Sequence, residues 1–142
     1  MTETIYDIFN TPNKNKDAFE NGKWFSINDT SKIRLRGAAS PESVRVRKEV
    51  EEPYAARIDA GMDLTTKETE EVTLRIVSKG IISGWEGPIF VDDKGKKIKY
   101  TAENAYKLIS DPKLDKFLLF ILESCRKEDN YLAKLDDVSE KN

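Results

Sequence analysis

The sequence predicts one α+β domain, mainly α-helical, with a short N-terminal β-hairpin. Three observations carry this reading. Helix-start chemistry recurs at Ser40-Pro41-Glu42, Thr65-Thr66-Lys67-Glu68, Thr101-Ala102-Glu103 and Asp111-Pro112: a capping oxygen is followed by a proline or an acid in the first turn. β-Formers flank Asn28-Asp29-Thr30-Ser31, which is turn chemistry. The 142 residues are 38% hydrophobic and 35% charged, which suits a single core under a charged exterior.

Taken in order, residues 1–22 read as a flexible or docking segment ahead of the domain. They hold one apolar cluster (Ile5, Tyr6, Ile8, Phe9), and Asn10 to Lys16 is a breaker run. The domain spans 23–134. Trp24 to Ile27 and Ile33 to Arg36 form the hairpin, with Ile33 and Leu35 on one face and Lys32, Arg34 and Arg36 on the other. A helix is expected over 41–52, although its aliphatic residues are only Val44, Val46 and Val50. Pro53 ends or kinks it. A second helix, over 66–80, places Val72, Ile76 and Gly80 on one face, and Gly80 and Gly84 mark its end. Residues 88–100 form a second small hairpin or loop around Asp92-Asp93-Lys94-Gly95-Lys96. A helix starts at Ala102, and the longest runs over 112–134. This makes three to four helices in all. Residues 135–142 are a polar tail.

Absences narrow the chemistry. There is no histidine, which excludes Ser-His-Asp and Cys-His nucleophilic sites and His-ligated zinc. Cys125 is the one cysteine, so there is no internal disulfide and no Cys-x-x-Cys site. Lysines stand where a calcium loop after Asp92-Asp93 needs oxygen ligands. Gly80-x3-Gly84-x2-Gly87 lacks the Lys-Ser/Thr of a phosphate loop. No catalytic, metal or cofactor residues are assigned, and an enzyme is not expected. No apolar run approaches a membrane span, and the N-terminus lacks a basic leader; the expectation is a cytoplasmic protein.

Two surfaces stand out. Between Lys23 and Lys48 seven basic residues face two acids. Arg34, Arg36, Arg45 and Arg47 are its candidate basic surface, beside Trp24 and Phe25. Such a stripe contacts phosphates, or it is a solvated face paired with Glu49, Glu51 and Glu52; the net charge of −2 makes nucleic acid an unlikely partner. In the last helix, Leu114, Leu118, Ile121, Leu122 and Cys125 form one stripe, and Phe117 to Leu122 is apolar throughout. A helix apolar on every side is buried from more than one direction, in a core or at a subunit interface. Candidate partner or self-contacts are Phe117, Phe120 and Tyr131, with Trp85 as core anchor or contact.

Residues 84–121 carry a spaced pattern: Gly84-Trp85-Glu86-Gly87, Asp92-Asp93-Lys94-Gly95-Lys96, Tyr100-Thr101-Ala102-Glu103-Asn104, then Leu108-Ile109-Ser110-Asp111-Pro112. An early Gly22-Lys23-Trp24 precedes it. The order resembles the small tail assembly chaperones of long-tailed, siphovirus-like bacteriophages. That resemblance implies a non-enzymatic protein of the host bacterial cytoplasm. Its partners would be the tape-measure protein and the tail tube protein, with possible self-association, and it would be absent from the mature virion. The alternatives are a small virion structural protein (a head-tail connector or tail-completion protein) and a nucleic-acid-associated regulator.

Overall fold

A computed structural model describes residues 3–5, 8 and 15–131. The elements follow the expected α+β order, mainly helical. Helix α1 (Lys16–Asn21) leads into strands β1 (Lys23–Ser26) and β2 (Lys32–Leu35). Helix α2 (Pro41–Glu51) continues through a 3-10 turn (Glu52–Tyr54) into the short α3 (Ala55–Asp59). Helix α4 (Thr66–Ile76) widens into a π-helical turn (Val77–Ile81), which feeds β3 (Ile82–Glu86). Helix α5 (Ala102–Ser110), a 3-10 turn (Pro112–Leu114), α6 (Asp115–Arg126) and a last 3-10 turn (Glu128–Tyr131) complete the chain.

The caps form as their residue types dictate. The Ser40 side chain accepts from Ser43 N, Thr101 from Asn104 N, and Asp111 from Lys113 N. Thr65 and Glu68 make a complete capping box. Arg57 adds a two-pronged pair to the Glu68 carboxylate, at 2.7 and 2.9 Å, and reaches the Asp63 carbonyl at 3.3 Å. The connection from α3 to α4 is closed by that fork.

The sheet is antiparallel in the order β1-β2-β3. The β1–β2 hairpin pairs as expected, with Ile33 and Leu35 fully buried and Arg34 half-buried on the opposite face. The third strand was not expected. Gly80 and Gly84 read locally as a helix end, whereas Ile82–Glu86 pairs with β2, some fifty residues earlier in the chain. The register places Ile33 opposite Trp85 and Arg34 opposite Gly84, then shifts so that Leu35 meets Ile82. Ser83 occupies the irregularity, and its hydroxyl donates to the Asn21 carbonyl at 2.9 Å.

The helix expected over 66–80 forms, α-helical to Ile76 and π-helical over Val77–Ile81. Its π turn is almost wholly buried, with Val77 and Ser78 each 1% exposed. A Cβ on Gly80 would sit 3.2 Å from Ser43 Cα and 3.2 Å from Val46 Cβ, so glycine is what lets this turn lie against α2. The Gly80 carbonyl accepts from Arg36 Nη1 at 3.2 Å and from the Ser43 hydroxyl at 3.1 Å.

The helix expected over 112–134 is interrupted. It begins with the 3-10 turn Pro112–Leu114 and runs as α6 to Arg126, where Lys127 turns the backbone extended ahead of the 3-10 turn Glu128–Tyr131. The reason lies at Tyr131. Its ring is 2% exposed and meets Phe19 and Phe25 edge-on, and its hydroxyl donates to the Leu35 carbonyl at 3.1 Å. A straight helix would carry that ring away from the sheet. Asn15 N donates to the Tyr131 carbonyl at 2.8 Å, and Gly37 N to the Phe19 carbonyl at 3.0 Å. Residues 16–21 are thus a helix docked on the body. The 135–142 tail lies outside the described residues, as do Tyr6 and Phe9 of the N-terminal apolar cluster; Ile5 and Ile8 are exposed.

Two outcomes test this account. Gly80→Ala should destabilise the protein by about 1–3 kcal/mol in urea unfolding, because the methyl meets the α2 backbone. Glu68 sits well below its ordinary 4.5, at about 2, chiefly because Arg57 hydrogen-bonds its charged form, with the Thr65 backbone adding to that. Its stabilisation is therefore complete above pH 4.5 and lost as pH falls toward 2. Glu68→Gln should lower the melting temperature at neutral pH, with a gap to wild type that narrows over that window.

Candidate functional site

Segments of residues 89–117, with Ile27, line an apolar groove at the surface. Ile89, Phe90, Val91 and Ile98 form one wall, Leu108, Leu114 and Phe117 the other, and Ile27 contributes from the hairpin connection. The cavity volume is about 280 Å³ and every lining residue is aliphatic or aromatic. Ile89 and Val91 are 41% and 39% exposed.

The wall over 88–100 has little regular structure and is held from beneath. A single antiparallel bridge joins Val91 to Lys97, and Ile98 N donates to the Phe90 carbonyl at 2.8 Å. Asp92 accepts from Lys94 N and Lys96 N, both at 2.9 Å, and closes the turn. Trp85 supplies the support. Its ring stacks on Phe90 with centroids 4.8 Å apart and planes 3° from parallel, and Tyr100 meets it edge-on. Its Nε1–H donates to the Ile98 carbonyl at 3.0 Å, and the Tyr100 hydroxyl donates to the Ile82 carbonyl at 2.7 Å. One ring therefore orients both Phe90 and Ile98 in the groove wall.

The opposite wall follows from helix geometry. Leu108 lies at the groove edge of α5, while Ala105 and Ile109 face the core. On α6, Ile121 and Cys125 enter the core, Phe117 turns to the groove, and Phe120, three residues on, shares that flank half-buried. The apolar run is not covered all round, because Leu119 is 55% exposed. Burial pushes the Cys125 thiol up to about 11, which makes it a packing residue rather than a nucleophile.

A second groove, of about 340 Å³, lies on the other side of α5 and α6. Leu74, Ile109 and Leu118 form its floor, and Glu70, Asp111 and Asp115 line it among polar neighbours. Among the described residues no group of three or more acids and cysteine converges to hold a metal ion, and no helix is long and apolar enough to cross a membrane.

The structure separates the residues singled out from sequence. Phe117 lines the apolar groove, Phe120 is beside it, and Trp85 is 8% exposed beneath it. Tyr131 is a correction: buried between α1 and the hairpin, it presents no surface to a partner. The basic stripe is also largely committed to the fold. Arg34 Nε donates to the Gly22 carbonyl at 3.0 Å, Arg36 holds the Glu20 and Gly80 carbonyls, and Arg45 pairs with Glu42 and Glu49. Arg47 is exposed on α2. Sequence reasoning missed Ile27, Ile89, Phe90, Val91, Ile98, Leu108 and Leu114 as site residues. The available signal was the apolar run Ile89-Phe90-Val91 before the Asp92–Lys96 turn and the single Ile98 after it.

The family model for YdaY prophage proteins matches residues 38–142. The chain belongs to that family. No curated protein and no solved structure matches it. The match to the YdaY prophage proteins takes in both grooves, apart from Ile27, so the surface described above belongs to the family's part of the chain.

Arg36 gives the test of the basic stripe. Arg36→Ala removes a charged donor from two backbone carbonyls and should cost about 1–3 kcal/mol in urea unfolding. If the loss is absent, Arg36 is a free surface cation after all.

Proposed function

We propose that this prophage-family chain is a non-enzymatic tail assembly chaperone, and that the apolar groove receives a helical segment of the tape-measure protein. The observation that carries the reading is a coincidence of position. Seven of the eight groove residues fall within 84–121, the stretch whose Gly-Trp, Asp-x-x-Gly and Glu-Asn pattern resembles such chaperones. An open apolar groove about 280 Å³ in volume suits a few side chains of an amphipathic helix. Ile89 and Val91 in its wall are well exposed, so the apolar lining is open to a partner. Many copies bound along one long client would reach useful affinity from weak single contacts. In this reading the protein acts in the host cytoplasm, helps tube subunits assemble on the client, and leaves before the particle is complete.

The test is co-expression with the long, helical, apolar protein encoded beside it, followed by tag pull-down. Soluble co-purification that depends on this chain supports the proposal, and Phe117→Glu should reduce recovery at least about tenfold, as loss of a central aromatic anchor does. An insoluble client, together with this chain in purified particles by mass spectrometry, would assign it to the virion structure instead.

A further inference from the structure

The two grooves flank the same pair of helices and carry opposite charge. On the side of the apolar groove, a lysine immediately precedes each helical lining residue: Lys107 before Leu108, Lys113 before Leu114, Lys116 before Phe117. One step along a helix rotates a side chain by about 100°. On α5 this step runs from Leu108 away from the buried Ala105 and Ile109, so Lys107 stands at the solvent edge of the groove. On α6, Lys116 lies beyond Phe117 on the side away from Leu118, which lines the other groove. All three lysines are exposed. The facing wall adds Lys94 and Lys96 beside Asp92 and Asp93, while Lys97 and Lys99 line a neighbouring pocket with Trp85 and Glu86. Among the described residues none of these seven lysines forms an ion pair within the chain. The nearby acids of the helices, Asp111 and Asp115, line the second groove instead.

From this arrangement we infer the chemistry of the occupant: an amphipathic helix whose apolar stripe is flanked by acidic residues. The apolar groove takes anchors at i, i+3 or i+4, and i+7, and the lysine rim selects Asp and Glu beside them. Among the described residues no ion pair uses that rim, and such cations around an apolar opening cost a little in mutual repulsion. A basic client would be rejected at this site. The inference rests on the groove being the client site proposed above, and it adds which segments of a client qualify.

The probes are two synthetic helical peptides with one leucine stripe, flanked by Glu in one and by Lys in the other, each labelled for fluorescence anisotropy. At about 50 mM salt the Glu-flanked peptide should bind at least about tenfold tighter, since three or more rim charges each contribute modestly. The preference should shrink toward unity near 1 M salt, where charges are screened beyond about 3 Å. K107E/K113E/K116E should reverse the preference, and Phe117→Glu should weaken both peptides while circular dichroism stays unchanged. Equal binding of the two peptides at low salt, binding of neither, or a preference that survives the triple reversal would each overturn the inference. The co-expression assay reports separately. Client rescue without a peptide preference removes the charge rule and leaves the chaperone reading; a peptide preference without rescue keeps the rule and removes the tape-measure protein as client.

Discussion

The fold depends on one close approach, that of the Gly80 turn to helix α2. With no side chain at Gly80, the π turn lies against Ser43 and Val46. The Gly80 carbonyl then becomes the acceptor for both Arg36 and Ser43. Arg36 extends from the end of β2, Ser43 sits in the first turn of α2, and the turn itself joins α4 to β3. Four elements are therefore pinned at one buried carbonyl. A buried carbonyl without partners is costly, and donors from two separate elements make the arrangement specific as well as stable. That carbonyl belongs to the π turn, and the chain leaves the turn directly into the third strand.

What that strand carries leads to the groove. Trp85 is placed by pairing with Ile33, and its ring in turn stacks on Phe90 and hydrogen-bonds the carbonyl of Ile98. The 88–100 segment has one backbone bridge of its own, so its shape comes mainly from side chains gripping it from below. Core and surface are coupled through a single indole. The groove exists because an irregular segment is held open by an aromatic anchor rather than folded down onto α5 and α6.

Helix starts were legible because they are local. A capping oxygen and the backbone N–H it meets are two or three residues apart, so Ser40, Thr65, Thr101 and Asp111 announced their helices without knowledge of the rest. The hairpin was legible for the same reason. The packing at the ends was not. Gly80 reads as a helix stop, and the helical stretch does end at Ile81, but the same glycine also packs closely against α2. Tyr131 reads as one more apolar residue on a long helix, yet a pocket formed by Phe19, Phe25 and Leu35 draws it off the helix axis. The basic stripe reads as a surface because charge usually is, but Arg34 and Arg36 spend their donors on carbonyls from distant segments.

The sequence by itself determined the α+β class, the order of hairpin and helices, the inward face of β2, and the apolar character of the last helix. Each of these follows from periodicity or from contacts a few residues apart. Tertiary structure alone decided the third strand, the break after Arg126, the burial of Tyr131, and the separation of α5 and α6 into a lysine-edged apolar flank and an acid-lined one. Those features depend on which distant residues arrive at the same place. Period-2 and period-3.6 patterns state which face of an element is apolar, but not which partner will cover it or how much will be left open.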